Sequence, residues 1–244
     1  MSTQIKINYK EYPEFMFAII ASYLPSEEGD DIRRLAGKVV FRHRDIHNHT
    51  CKNGLLHSFD DKPAVVISDV EKWFKDGLIH RDNDLPAIIN KLHQEWYRNN
   101  MRHRDNGLPA FIGTDNQEWW VYGDLHRDND LPAVIYKDTQ AWYKRGVLHR
   151  EGDKPAFIQG PRQFWYIDGK LHRDNDLPAI VEGQNSSWYK NGVLHREGDK
   201  PAIINDGFIC WYLNGNLHRE GGKPALIDRN YQAWYIRGEL QRYL

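Results

Sequence analysis

Two patterns of apolar and polar positions divide this chain. The first covers the N-terminal segment. Phe15, Ile19 and Tyr23 fall four residues apart, with Met16, Ile20 and Leu24 beside them, so they would share one face of a helix. Pro13 suits the first turn of that helix, and Pro25 and Ser26 end it. A second helix is predicted from about Asp30 to Val40, with acidic residues at its start. Beyond it the pattern changes to short runs of β-forming residues broken by turn residues. In one such unit Trp188-Tyr189 leads into Asn191-Gly192, Val193-Leu194 follows, and a polar corner gives way to Pro201-Ala202-Ile203. No such unit has room for a full helix.

These short runs recur with a fixed period. His57, His80, His103, His126, His149, His172, His195 and His218 are each 23 residues apart, and the step never changes. Pro63 to Pro224 keep the same clock, and an alanine follows each proline, from Ala64 to Ala225. So do Trp73, Trp96, Trp119, Trp142, Trp165, Trp188, Trp211 and Trp234. Eight units therefore fill about residues 51–242. Asn191-Gly192 and Asn214-Gly215 are strong hairpin signals, because a type I′ turn needs positive φ at both central residues. Each unit is predicted to be a β-hairpin with a bent extension, unable to bury its apolar residues without a neighbour. The predicted fold is mainly β, an elongated antiparallel hairpin array over 45–244 behind a small helical head over 1–44. The tryptophans are expected to lie side by side as its shared core. Thr50-Cys51 replaces the Trp-Tyr pair at one end and Gln241-Arg242 replaces His-Arg at the other, so a half-repeat is expected at each end.

Composition narrows the function. The 33 basic and 34 acidic residues balance, which argues against a nucleic-acid binder. No apolar run approaches the roughly 20 residues of a membrane span. Cys51 and Cys210 stand far apart in no paired motif, a usage that suits a reducing, intracellular compartment.

The hairpin core, an aromatic followed by x-Asn-Gly at this period, resembles the MORN repeat family. Tyr97, Tyr143, Tyr166, Tyr189, Tyr212 and Tyr235 precede the turn where that family has an aromatic, while His-Arg and Pro-Ala replace its later glycines. The resemblance implies an elongated, non-catalytic β structure used in protein assembly and sometimes in lipid contact. The head resembles a truncated F-box: a proline-led helix ending in Tyr23-Leu24-Pro25, a linker, then Ile32-Arg33-Arg34-Leu35. Together the two parts are similar to proteins expanded in giant DNA viruses of amoebae. That likeness implies a place in the host cytoplasm or in the virion.

Several motifs invite catalytic or metal readings. His-Arg-Asp occurs at His80, His103, His126 and His172, and off-phase at His43, whereas a kinase catalytic loop occurs once and needs a Gly-rich partner loop. Ladder histidines would sit roughly 10 Å apart in a two-strand repeat. That is too far to share a zinc ion, whose ligands lie about 2 Å from the metal. Each imidazole is instead expected to bond within its own corner, to the Asp or Glu two residues on or to the backbone. The arginines from Arg81 to Arg219 are each followed by an acidic residue, which neutralises a basic stripe, and are expected to pair with a carboxylate of the adjacent repeat. No nucleophile–base pair or cofactor fingerprint is present, so neither an enzyme nor a cofactor is predicted.

Two functions follow. In one the chain is an adaptor: Pro13, Phe15, Phe17, Ile19, Ile20 and Leu24 dock on a ubiquitin-ligase adaptor subunit, and the array presents a target protein. In the other it is a scaffold such as a minor virion component, and the head only caps the array. Phospholipid contact by the array is a weaker third reading. Loops such as Gln159–Gln163 and Glu182–Ser187 differ between repeats and would form the specific surface.

Overall fold

A computed structural model describes residues 46–53 and 55–244. The head expected over 1–44, with Pro13, Phe15, Phe17, Ile19, Ile20 and Leu24 and the helix expected from Asp30 to Val40, lies outside the described residues. The described residues are mainly β and contain no helix. The chain divides into two compact units, Met1–Met101 and Arg102–Leu244.

In the second unit one repeat serves for all. Strand Val134–Tyr136 turns back into Thr139–Ala141 in antiparallel register, Val134 opposite Ala141. Thr139–Ala141 then pairs with Phe157–Gln159 of the next repeat, Ala141 opposite Phe157. The same two steps repeat from Phe111–Gly113 to Tyr231–Ile236 and build one antiparallel sheet. Trp142 leaves this sheet, its N–H donating to the Ala156 carbonyl at 2.8 Å. Tyr143–Lys144 and Val147–Leu148 then form a separate small hairpin.

Turn chemistry explains the small hairpin. Arg145 and Gly146 both have positive φ, 50° and 76°, as a type I′ turn requires. At some of these turns the glycine also stands close to the preceding hairpin. A Cβ on Gly169 would stand 3.0 Å from Val147 Cγ1 of the preceding hairpin. The Gly169 N–H donates to Leu148 at 2.9 Å, so successive hairpins are joined turn to strand. The polar corner is a second turn of the same kind. Asn175 and Asp176 have φ of 58° and 55°, and the Leu177 N–H returns to the Asp174 carbonyl at 3.2 Å.

The first unit uses the same parts. Val65–Ile67 pairs with Val70–Lys72, which pairs with Ile88–Ile89, and that strand with His93–Glu95. Thr50 takes the backbone place of the missing tryptophan, donating to Ala64 at 3.0 Å. A complete small hairpin, Cys51–Lys52 with Leu55–Leu56, follows it. At the far end the second sheet strand and the first strand of the small hairpin run on as one strand, Tyr231–Ile236, which pairs with Leu226–Asp228 and with Glu239–Tyr243, and the register of the latter pairing shifts between Trp234 and Tyr235.

The core is a line of Trp and Ala. The alanines from Ala64 to Ala225 that follow the prolines are 0% exposed, and the ladder tryptophans are 3–9% exposed. The expected side-by-side tryptophan stack does not form: no ring contact joins Trp119, Trp142 and Trp165 among the described residues. Neighbouring rings are a two-strand step of roughly 10 Å apart. Ring pairs need centroids within about 4.5–7 Å.

Candidate functional site

What covers most of the ladder tryptophans is an arginine eight residues later. The guanidinium carbons of Arg81, Arg127, Arg150, Arg173, Arg196 and Arg219 lie 3.6–3.8 Å from the centroids of Trp73, Trp119, Trp142, Trp165, Trp188 and Trp211. In each, Nη1 donates to the carbonyl of the proline five residues on, at 3.0–3.2 Å. The other edge of the guanidinium goes to the preceding corner. Arg150 donates through Nε and Nη2 to the two carboxylate oxygens of Asp130, at 2.7 and 3.2 Å. Arg81 holds Asp61, Arg173 holds Asp153 and Arg196 holds Asp176 in the same two-bond manner, and Arg219 holds Asp199 through Nε.

The corner aspartate also closes the ring from its backbone. The indole N–H of Trp142 donates to the Asp130 carbonyl at 3.0 Å, the same bond recurs for Trp73, Trp96, Trp188 and Trp211, and Trp119 and Trp234 donate likewise to the carbonyls of Gly107 and Gly222 at that corner position. Trp165 is the exception: its buried Nε1 has no partner. Lys154 and Lys200 add a third bond to Asp130 and Asp176, and Lys223 a second to Asp199, at 2.6–2.7 Å. The arginine and lysine bonds hold these three carboxyls at about 2, below the usual carboxylate range.

The histidines stitch the repeats a second time. His80, His103, His126 and His172 place Nε2 2.8–3.1 Å from the aspartate two residues on, and His195 places it 3.3 Å from Glu197. His149 and His218 stand farther from their glutamates, both at 3.6 Å. Each Nδ1 accepts a backbone N–H from the turn of the next hairpin, as from Asn99 to His80 at 3.3 Å and from Asn191 to His172 at 3.1 Å. An imidazole that accepts at Nδ1 carries its proton on Nε2, which then donates to the carboxylate. At His80, His103, His126, His172 and His195 the expected acidic partner and a backbone partner are thus present at once, whereas the buried Nε2 of His149 has no hydrogen-bond partner. The backbone partner comes from the next hairpin and not from the histidine's own corner as expected, and the constant spacings of 12, 19 and 20 residues between partners are the trace of such links in the sequence.

Among the described residues, no group of three His, Cys, Asp or Glu is placed to hold a metal. Burial pushes the Cys210 thiol up to about 11, which keeps it a small apolar side chain rather than a thiolate. No described helix is long and apolar enough to cross a membrane.

Between successive corners the surface sinks into shallow troughs. They hold about 520 Å³ at residues 196–223, 490 Å³ at 103–131, 220 Å³ at 57–83, 210 Å³ at 126–151 and 170 Å³ at 172–197. Their walls are the His-Arg corner of one repeat and the Trp-Tyr and His-Arg segments of the next. The small hairpins carry a different feature. Val121, Val147, Ile167, Val193, Leu213 and Ile236 are each 37–42% exposed, one per hairpin. Each stands opposite a polar residue: Asp124, Lys144, Lys170, Lys190, Asn216 and Glu239 respectively.

No protein-family model matches this chain, and no curated protein is significantly similar to it.

Proposed function

We propose that the chain is a non-enzymatic binding protein whose array presents a surface to another protein. The observation that carries this reading is the division of labour within the repeat. The constant Trp, His, Arg, Asp and Ala are bonded to one another or buried. Positions that vary reach the surface: the sheet turn at Gln159–Gln163, Gly183-Gln184 of the loop at Glu182–Ser187, and one aliphatic side chain per small hairpin. Exposed aliphatic residues set among charges are what a protein partner can bury. The F-box-like sequence of residues 1–44 supports a further role, docking on the adaptor subunit of a ubiquitin ligase so that the array presents a target.

The test is affinity capture from cell lysate with the full chain and two full-length variants. Phe15→Asp with Ile19→Asp should lose ubiquitin-ligase subunits while keeping the array's partner. Ile167→Asp with Val193→Asp should lose the array's partner while leaving the melting temperature unchanged. Virion proteins retained by the head variant would favour the scaffold reading. Capture that neither variant alters would contradict protein binding through these surfaces.

A further inference from the structure

The aspartate that clamps Arg81, Arg150, Arg173, Arg196 and Arg219 lies 20 residues before each of them, and before Arg127 it is missing. Twenty residues before Arg127 stands Gly107. The rest of the arrangement is intact there. Arg127 lies 3.6 Å from the Trp119 centroid, its Nη1 donates to Pro132 at 3.1 Å, and the Trp119 indole donates to the Gly107 carbonyl at 2.9 Å. Only the carboxylate is absent. Among the described residues no acidic group bonds to the Nε and Nη2 edge of Arg127, the edge that Asp130 occupies on Arg150.

We infer that the trough at residues 103–131 binds a ligand carboxylate, which takes up the Nε–Nη2 edge of Arg127 in place of the missing aspartate. Gly107 and Arg127 both line this trough of about 490 Å³. Its size does not set it apart, since the trough at 196–223 is as large, but there Arg219 is held by Asp199. The acidic residues of the 103–131 trough are engaged elsewhere: Asp105 lies 2.9 Å from His103 and Asp128 3.1 Å from His126. Burial without a counter-charge pushes the Arg127 guanidinium below the usual arginine range, yet an arginine stays protonated. A desolvated guanidinium with a free fork is the group that binds a carboxylate through two parallel bonds.

The walls define the rest of the ligand. Leu108 and Leu131 hold the corner positions where Lys154, Lys200 and Lys223 stand in other repeats, and Trp120 and Val121 line the same trough. The site therefore suits a carboxylate borne on a short apolar group. Such a group occurs on a free aryl or alkyl acid and on an acidic side chain beside an apolar one in a protein. Arg242 stands in the same sequence relation to Gly222, but it lies on the exposed strand Glu239–Tyr243 and lines none of the troughs described above. The carboxylate site stands whether or not the array binds a protein elsewhere.

The test is NMR of the arginine Nε–H groups in the full chain, titrated with 3-phenylpropionate. The Arg127 signal should shift saturably, in the millimolar range expected of a single ion pair with modest apolar contact. The neutral analogue 3-phenylpropanol should leave it unmoved. Gly107→Asp should abolish the response by supplying the internal carboxylate. The fold can accept that residue: a Cβ on Gly107 meets nothing within 4 Å, and Asp130 and Asp176 occupy the same corner position at φ of 56° and 55°. The converse variant, Asp153→Gly, should give Arg173 a new response, since Leu177 stands there as Leu131 does here. A doubly capped peptide with one glutamate between leucines separates the two sources: tighter binding than 3-phenylpropionate assigns the site to a protein side chain, weaker binding to a small acid. The inference fails if wild-type Arg127 does not respond to either probe. It fails equally if the alcohol acts like the acid, if Gly107→Asp still responds, or if folded Asp153→Gly gains nothing.

Discussion

Asp130 acts from both its backbone and its side chain. Its carbonyl takes the indole N–H of Trp142, and its carboxylate takes Arg150, which lies on that same indole. The comparison with Trp165, whose indole N–H has no partner, gives a way to weigh the first bond. Trp142→Phe and Trp165→Phe each remove the indole N–H and part of the ring area, but only the first breaks a hydrogen bond. Trp142→Phe should therefore cost about 1 kcal/mol more, read by urea denaturation of the two variants. Equal losses would show that the bond contributes nothing. The carboxylate is tested by acid. Asp130 is held at about 2 in the folded chain, against about 3.9 for an unfolded aspartate. A folded value below the unfolded one means stabilisation that is present above about pH 4 and lost as the pH falls toward about 2. The difference in melting temperature between wild type and Asp130→Asn should narrow over that interval. A difference that stays constant down to pH 2 would contradict the pairing.

At the scale of the hairpin and corner, the alanine after each proline sets the packing. Ala179 is 0% exposed, and its N–H donates to Ser187 while its carbonyl takes the Trp165 N–H, both at 2.8 Å. A larger side chain there meets a filled space between backbones. Ala179→Leu should destabilise by about 1–3 kcal/mol, measured by chemical denaturation, and a neutral outcome would mean the site can open. Much of this element was legible in the sequence. The Asn-Gly and Asp-Gly pairs announced the small hairpin, and the Pro-Ala step announced the strand after the corner. The corner's own type I′ turn was written as Asn175-Asp176 and went unread, because without glycine the pair looks like any polar loop. The tryptophan stack was a false inference from an accurate period: a two-strand step is too long for ring contact, and Arg150 fills the space over Trp142 instead. The arginine–carboxylate pairing across repeats was legible from charge alternation. The gap at Gly107 was also in the sequence, but it has meaning only once Arg150 is seen to reach back 20 residues to Asp130.

At the scale of the whole molecule, each described unit repeats one set of bonds between neighbours. Stability in such an array is close to a sum of local terms and interfaces. Repeats differ from one another at the exposed aliphatic side chains of the small hairpins, at the sheet turns and at the position beside Arg127. The central claim is that the constant arginines are consumed in holding repeats together, with Arg127 as the exception. Hydrogen exchange of the arginine Nε–H groups in the full chain tests it most directly, each signal assigned by an Arg→Lys variant. The account predicts slow exchange at Arg81, Arg150, Arg173, Arg196 and Arg219, whose Nε–H groups donate to carboxylates at 2.7–2.8 Å, and fast exchange at Arg127. Uniform fast exchange at all of these arginines, or an Arg127 as protected as Arg150, would contradict it.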